Sequence, residues 1–131
     1  MSDLPTKVQH RSFKELESWK KARVLRNEVF ELCKRFPSEE KYRLADQLIR
    51  STRSITANIA EGHGRFHFQE NIQYCRIARG SSTESVDHLT VALDCGYIDE
   101  KDFEKYSHQL LEIERILNGY IRFLNRQKRG T

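Results

Sequence analysis

A chain of 131 residues, 37% hydrophobic and 32% charged, suffices for one packed domain that buries roughly two-thirds of its unfolded surface. Its three cysteines, Cys33, Cys75 and Cys95, are odd in number and widely spaced, which argues against a disulfide framework or a Cys-x-x-Cys metal knuckle; no run of about 18 apolar residues exists to span a membrane. The net charge of +4, from 23 Lys and Arg against 19 Asp and Glu, points only weakly toward an acidic partner.

In chain order, residues 1–11 are polar, carry Pro5 and three basic side chains counting His10, and show no periodicity or export core. They read as a mobile arm, and the chain as a cytoplasmic protein with reduced thiols. Ser12 followed by Glu15 is a capping-box signal for a first helix. Ala22, Leu25, Val29, Leu32 and Phe36 recur three or four apart as its buried stripe, and Pro37 stops it. Ser38 is placed to cap a second helix, with Glu39 and Glu40 in its first turn and the stripe Leu44, Leu48, Ser51, Ile55, Ile59. Small residues at Ser54, Ala57 and Ala60 permit a close neighbour, and Gly62 suits a left-handed helix end.

The helical pattern resumes near Gln69, where Cys75, Ala78, Ser82, Ser85, Leu89 and Ala92 form a seam of mostly small residues that lets helix axes approach. Cys95-Gly96 ends this third helix, with Tyr97 and Ile98 folding back on its last turn, and Asp99 caps the fourth. Phe103, Tyr106, Leu110, Ile113, Leu117, Tyr120 and Leu124 fit the three-four alternation, so a helix from Glu100 to Arg126 would be roughly 40 Å long. Four such helices with short connections and no strand pattern predict an all-α, antiparallel, up-down-up-down four-helix bundle. The expected divisions are an arm at 1–11, the bundle at 12–127 and a basic tail at 128–131.

Trp19 and Phe30 on the first helix, with Arg23 and Arg26 between them, and Leu111, Ile116 and Phe123 on the fourth fall off the main stripes. One reading is a wide core face; the other, favoured here, is a homo-oligomer interface. Many cations have an acid one turn away: Glu17 with Lys21, Glu31 with Arg35, Glu39 with Arg43, Asp46 with Arg50, Glu112 with Arg115. Arg122 and Arg126 have none, Lys128 and Arg129 extend that cluster, and Arg76 and Arg79 are unpaired within their helix. The cluster either complements the negative end of the fourth helix or binds phosphate; Arg79 either pairs with Glu61 or Glu84 across helices or meets a ligand. His63 and His67 lack a third metal ligand and sit among glycines, Gly80-Ser-Ser lacks the setting of a nucleophile elbow, and Asn58 and Glu61 suit helix-end or interhelical hydrogen bonds. No catalytic, metal or cofactor site is assigned.

Three motifs carry a family resemblance: Phe13-Lys-Glu-Leu-Glu-Ser-Trp19, Ile55-Thr-Ala-Asn-Ile-Ala-Glu-Gly-His-Gly-Arg65 and Ile77-Ala-Arg-Gly-Ser-Ser-Thr-Glu84. In this order, over about residues 13–125, the chain resembles the bacterial four-helix-bundle family that includes proteins encoded within intervening sequences of 23S ribosomal RNA genes. Thr56 departs from the pattern, standing where the family usually has proline, so the second helix should be straighter there. The resemblance implies an antiparallel bundle assembling as a ring-like pentamer, no enzymatic activity, and a role in binding nucleic acid, RNA or DNA. A related branch partners a reverse transcriptase and RNA in diversity-generating retroelements. An adaptor that docks a protein partner through exposed aromatic helix faces is the alternative.

Overall fold

The structure, a computed structural model, describes residues 12–130; the arm expected at 1–11 lies outside the described residues. Four helices follow in order: α1 Glu17–Cys33, α2 Leu44–His63, α3 Phe68–Asp94 and α4 Glu100–Gly130. Each packs on its neighbour in sequence, and α4 closes back on α1. Cross-helix contacts fix the directions. Lys21 reaches Glu112 while Arg35 reaches Asp102, Ser51 meets Ser85 while Ser54 meets Ser81, and Lys128 meets Gln69 while Asn118 meets Arg79. Numbers rise on one helix as they fall on the other, so the bundle is antiparallel and up-down-up-down, as the apolar pattern predicts.

The stripes of α1, α2 and α3 are buried at every position, and in α4 only Phe103 and Tyr120 are half-exposed. Several local expectations change. Ser12 caps a short 3₁₀ turn, Phe13–Glu15, by accepting from the Lys14 amide at 3.1 Å, and α1 begins only at Glu17. Ser38 opens a second 3₁₀ turn, Ser38–Glu40, and α2 starts at Leu44, whose amide donates to Glu40 Oε1 at 3.2 Å. A carboxylate four residues back thus satisfies one orphan amide of α2. The Cys95-Gly96 stop holds: Gly96 has φ 77°, and the Tyr97 amide reaches back to Ala92 O at 2.9 Å. Asp99 caps α4 through the Asp102 amide at 2.8 Å.

Gly62 is a correction. It lies inside α2 with no left-handed backbone; a Cβ there would stand 2.7 Å from Asn71 Oδ1 and 2.8 Å from Tyr74 Cβ on α3. Its role is close helix approach, and it extends a seam in which Ser51 and Ser85 hydroxyls meet at 2.7 Å and Ser81 donates to Ser54 at 3.0 Å. Ala57 takes no part, being exposed. Thr56 stays within the helix, its hydroxyl donating to Arg53 O at 3.0 Å. At the other end of the chain α4 continues through Gly130, so Lys128 and Arg129 are helical.

Candidate nucleic-acid interface

The six basic residues singled out by sequence lie on the paired helices α3 and α4, in the first half of α3 and the last third of α4. Arg79 Nη1 donates to Asn118 Oδ1 at 2.7 Å, and Lys128 Nζ donates to Gln69 Oε1 at 2.6 Å. These two contacts bracket the α3–α4 pair. Arg76, between Gln69 and Arg79, therefore comes level with the part of α4 that carries Arg122 and Arg126, and Arg129 follows Lys128 one residue on. Arg76, Arg122, Arg126 and Arg129 are exposed. Two acid-free stretches lie side by side here, because α3 has no Asp or Glu from Asn71 to Thr83 and the chain has none after Glu114.

Few local partners compete for these cations. Arg76 donates weakly to Gln73 at 3.4 Å, and no carboxylate among the described residues pairs with Arg76, Arg79, Arg122 or Arg126. Arg79 takes neither expected acid, because Glu61 holds Arg65 at 2.8 Å and Glu84 holds His88 at 3.0 Å. Several carboxylates elsewhere are paired. Of the five pairs expected within helices only Asp46 with Arg50 forms, at 3.6 Å; Lys21 turns to Glu112, Arg35 to Asp102, and Glu31 to Lys34. For Lys21 and Arg35 a carboxylate across the groove outcompetes the one a turn away, because long side chains sweep between helices.

The five residues expected at an oligomer interface do not form one patch. Trp19 is corrected outright: it is 7% exposed, part of the core, and packed edge-on against Phe13 at 5.2 Å. Phe30, at 37%, lies under Lys34 and Arg53 on the α1–α2 side. Leu111, at 60%, lines a recess against Ser82 and Val86 of α3. Ile116 is half-buried, and Phe123 is exposed and stacks on Tyr120. The sequence reading overlooked Phe66 in the α2–α3 turn, which is 90% exposed. Its place in a glycine-flanked turn, off any stripe, was the available signal.

Two of the three thiols, Cys33 and Cys75, are buried. Burial pushes the Cys33 thiol up to about 12 and Cys75 to about 11, so both stay protonated. His63 closes α2 while His67 stands in extended backbone before α3, and no three metal-ligating side chains cluster among the described residues. Asn58 bonds within its own helix, to Ser54 O at 2.8 Å. No helix among the described residues is long and apolar enough to cross a membrane.

Comparison with known proteins adds one family and one fold. The family described as 23S rRNA-intervening sequence protein matches residues 14–119. A crystal structure from Bacteroides thetaiotaomicron, described as a protein with unknown function from the S23 ribosomal protein family, superposes with a TM-score of 0.75. It is 24% identical in sequence over 80% of this chain and 95% of its own, a likeness of fold. No curated protein matches significantly.

Proposed function

The chain belongs to the 23S rRNA-intervening sequence protein family, and we propose on that premise that it is a non-enzymatic, homo-oligomeric bundle that binds structured nucleic acid, RNA in preference to DNA. The observation that carries this reading is the pair of acid-free stretches on α3 and α4, which set Arg76, Arg79, Arg122 and Arg126 along one face without a carboxylate partner among the described residues. Guanidinium forks suit phosphate oxygens, and a row of them follows a sugar-phosphate backbone. Assembly multiplies the effect. A pentamer, the state the resemblance implies, would carry about +20 from five chains of +4, and repeat the arginine row around the ring. Exposed Leu111 and Phe123 on α4 and Phe30 on α1 are among the apolar side chains free for subunit contacts.

The test is fluorescence anisotropy with a labelled structured RNA and a matched DNA duplex at low and near-physiological salt. Binding at micromolar concentration or tighter is expected, with log affinity falling against log salt by about 0.7–0.9 per phosphate neutralised. The double reversal Arg122→Glu, Arg126→Glu should abolish it. Binding insensitive to salt, or surviving that reversal, would overturn the reading.

A further inference from the structure

The apolar side chains expected at a subunit interface are split between opposite sides of the bundle, and the two sides carry opposite charge. Each helix packs on the next and α4 closes on α1, so the α1–α2 and α3–α4 faces lie on opposite sides. On the α1–α2 face the exposed Phe30 stands out as a knob, with Lys34 over its ring at 4.9 Å and Arg53 of α2 at 5.3 Å. Glu31 neutralises Lys34 at 3.1 Å, whereas no carboxylate among the described residues pairs with Arg53, so the knob keeps a positive charge.

On the α3–α4 face the matching feature is an open recess of about 650 Å³, room for a ring and the cation beside it. Val86 and the exposed Leu111 give it apolar walls, and it carries a carboxylate on each helix, Asp87 on α3 and Glu114 on α4. Neither carboxylate has a cationic partner among the described residues, and His108, also in the lining, is turned to Glu104 at 3.5 Å. Knob and recess lie at one height along the bundle. Arg53 is two residues past Ser51, Ser51 meets Ser85 across the α2–α3 seam at 2.7 Å, and Ser85 falls between Ser82 and Val86 of the recess.

We propose that copies of this chain join head to tail, the Phe30–Arg53 knob of one copy seated in the Asp87–Glu114 recess of the next. The aromatic ring supplies the buried anchor, and Arg53, held over it, meets carboxylates that have no partner within their own chain. Like faces repel. Knob against knob opposes cations and recess against recess opposes carboxylates, so a two-fold contact on either face is disfavoured and only unlike faces fit. Such a contact repeats from copy to copy. For copies standing side by side it adds no rise along the bundle, because knob and recess share one height, and that is the condition for a ring to close instead of growing as a filament. This contact rests on the homo-oligomer part of the reading above and is independent of nucleic acid.

The test removes each face in turn at exposed or half-exposed positions: Phe30→Ala with Arg53→Ala, and Asp87→Lys with Glu114→Lys. By size-exclusion chromatography with light scattering, wild type should have a fixed mass above twice that of the monomer, since a head-to-tail contact closes only in rings of three or more. Each double variant should fall to the monomer mass with its helical circular dichroism unchanged. Mixed in equal amounts, the two should give twice the monomer mass and nothing larger, because the intact recess of one takes the intact knob of the other and no further face remains. Wild-type mass in either variant, or a mixture that stays monomeric, would overturn the contact and leave assembly to other surfaces. A wild type that is monomeric at every concentration would overturn the contact and the homo-oligomer reading together, and leave the two faces to a different protein. Assembly as expected in a wild type that binds no RNA would instead remove the nucleic-acid reading and leave the contact standing.

Discussion

The α2–α3 seam and the α1–α4 seam hold the same bundle together by different means. Between α2 and α3 the contact residues are small: Ser51 against Ser85, Ser54 against Ser81, and Gly62 against Asn71 and Tyr74. Between α1 and α4 the cross-connections are long and charged or polar, with Lys21 to Glu112 at 3.6 Å, Arg35 to Asp102 at 2.6 Å and Gln109 to Glu28 at 3.1 Å. The first seam is defined by how near two backbones can come, so it tolerates no added atoms. The second is bridged by flexible side chains that can readjust. Stability should therefore be concentrated in the first and adaptability in the second.

Gly62→Ala should have the largest effect. The added methyl would meet Asn71 Oδ1 at 2.7 Å and Tyr74 Cβ at 2.8 Å, with Asn71 O only 3.1 Å away. Backbone as well as side chain must move. Ala is the better helix former, so local propensity alone would favour the change by about 1 kcal/mol. Overpacking of a tight contact costs about 1–3 kcal/mol and should prevail, lowering the thermal midpoint by several degrees in a circular-dichroism melt. A midpoint at or above wild type would show that the α2–α3 seam has slack, and the contrast between the seams would fail.

The hydroxyl pair comes next. Ser51 and Ser85 are both buried, and their two hydroxyl protons serve three contacts: one hydroxyl donates to the other at 2.7 Å, and the second donates to its own helix, Ser51 to Leu48 O or Ser85 to Ser81 O. Each single alanine leaves the other hydroxyl with one remaining acceptor, so the singles should cost about 0.5–1.5 kcal/mol. In a double-mutant cycle on urea midpoints, a coupling of about 0.5–1 kcal/mol is expected. Additive single effects would mean that the two hydroxyls merely pass each other.

The sequence carried the bundle but not its neighbours. The stripe from Ala22 to Phe36 and that on α4 from Phe103 to Leu124 are local periodicities, and they predict their own burial at every position but Phe103 and Tyr120. Gly62 was misread because a glycine near the end of a helical pattern suggests a cap. What fixes its role is Tyr74, twelve residues on, and only the packed pair shows the two together. Trp19 looked surplus because its wheel position is off the stripe, yet Phe13 packs against it from outside α1. The α3–α4 arginines were legible from missing acids one turn away. The stacking of Arg23 and Arg26 on Trp19 lies within one helix, whereas Arg53 reaches Phe30 from another helix, which only the packed pair shows.

Arg35→Ala should have the smallest effect and is the sharpest check on the α1–α4 side. The pair it breaks is short, at 2.6 Å, and links helices 67 residues apart in sequence, which by distance alone suggests a strong tie. Exposure argues otherwise. The Arg35 side chain is 58% accessible and that of Asp102 28%, so water and salt screen the charge, and fixing a long arginine costs rotamer entropy. Asp102 sits in the first turn of α4, where the helix dipole favours a carboxylate whether or not Arg35 is present. Removing the arginine should therefore cost no more than about 0.2–1 kcal/mol in urea unfolding at low ionic strength, and less in 0.5 M chloride. A loss equal to that of Gly62→Ala, undiminished by salt, would place the α1–α4 seam alongside the α2–α3 seam as a fixed element. A small, salt-erasable loss would leave α1 free to shift against α4 while the α2–α3 pair stays rigid, as a frame built from one tight seam and one adjustable seam requires.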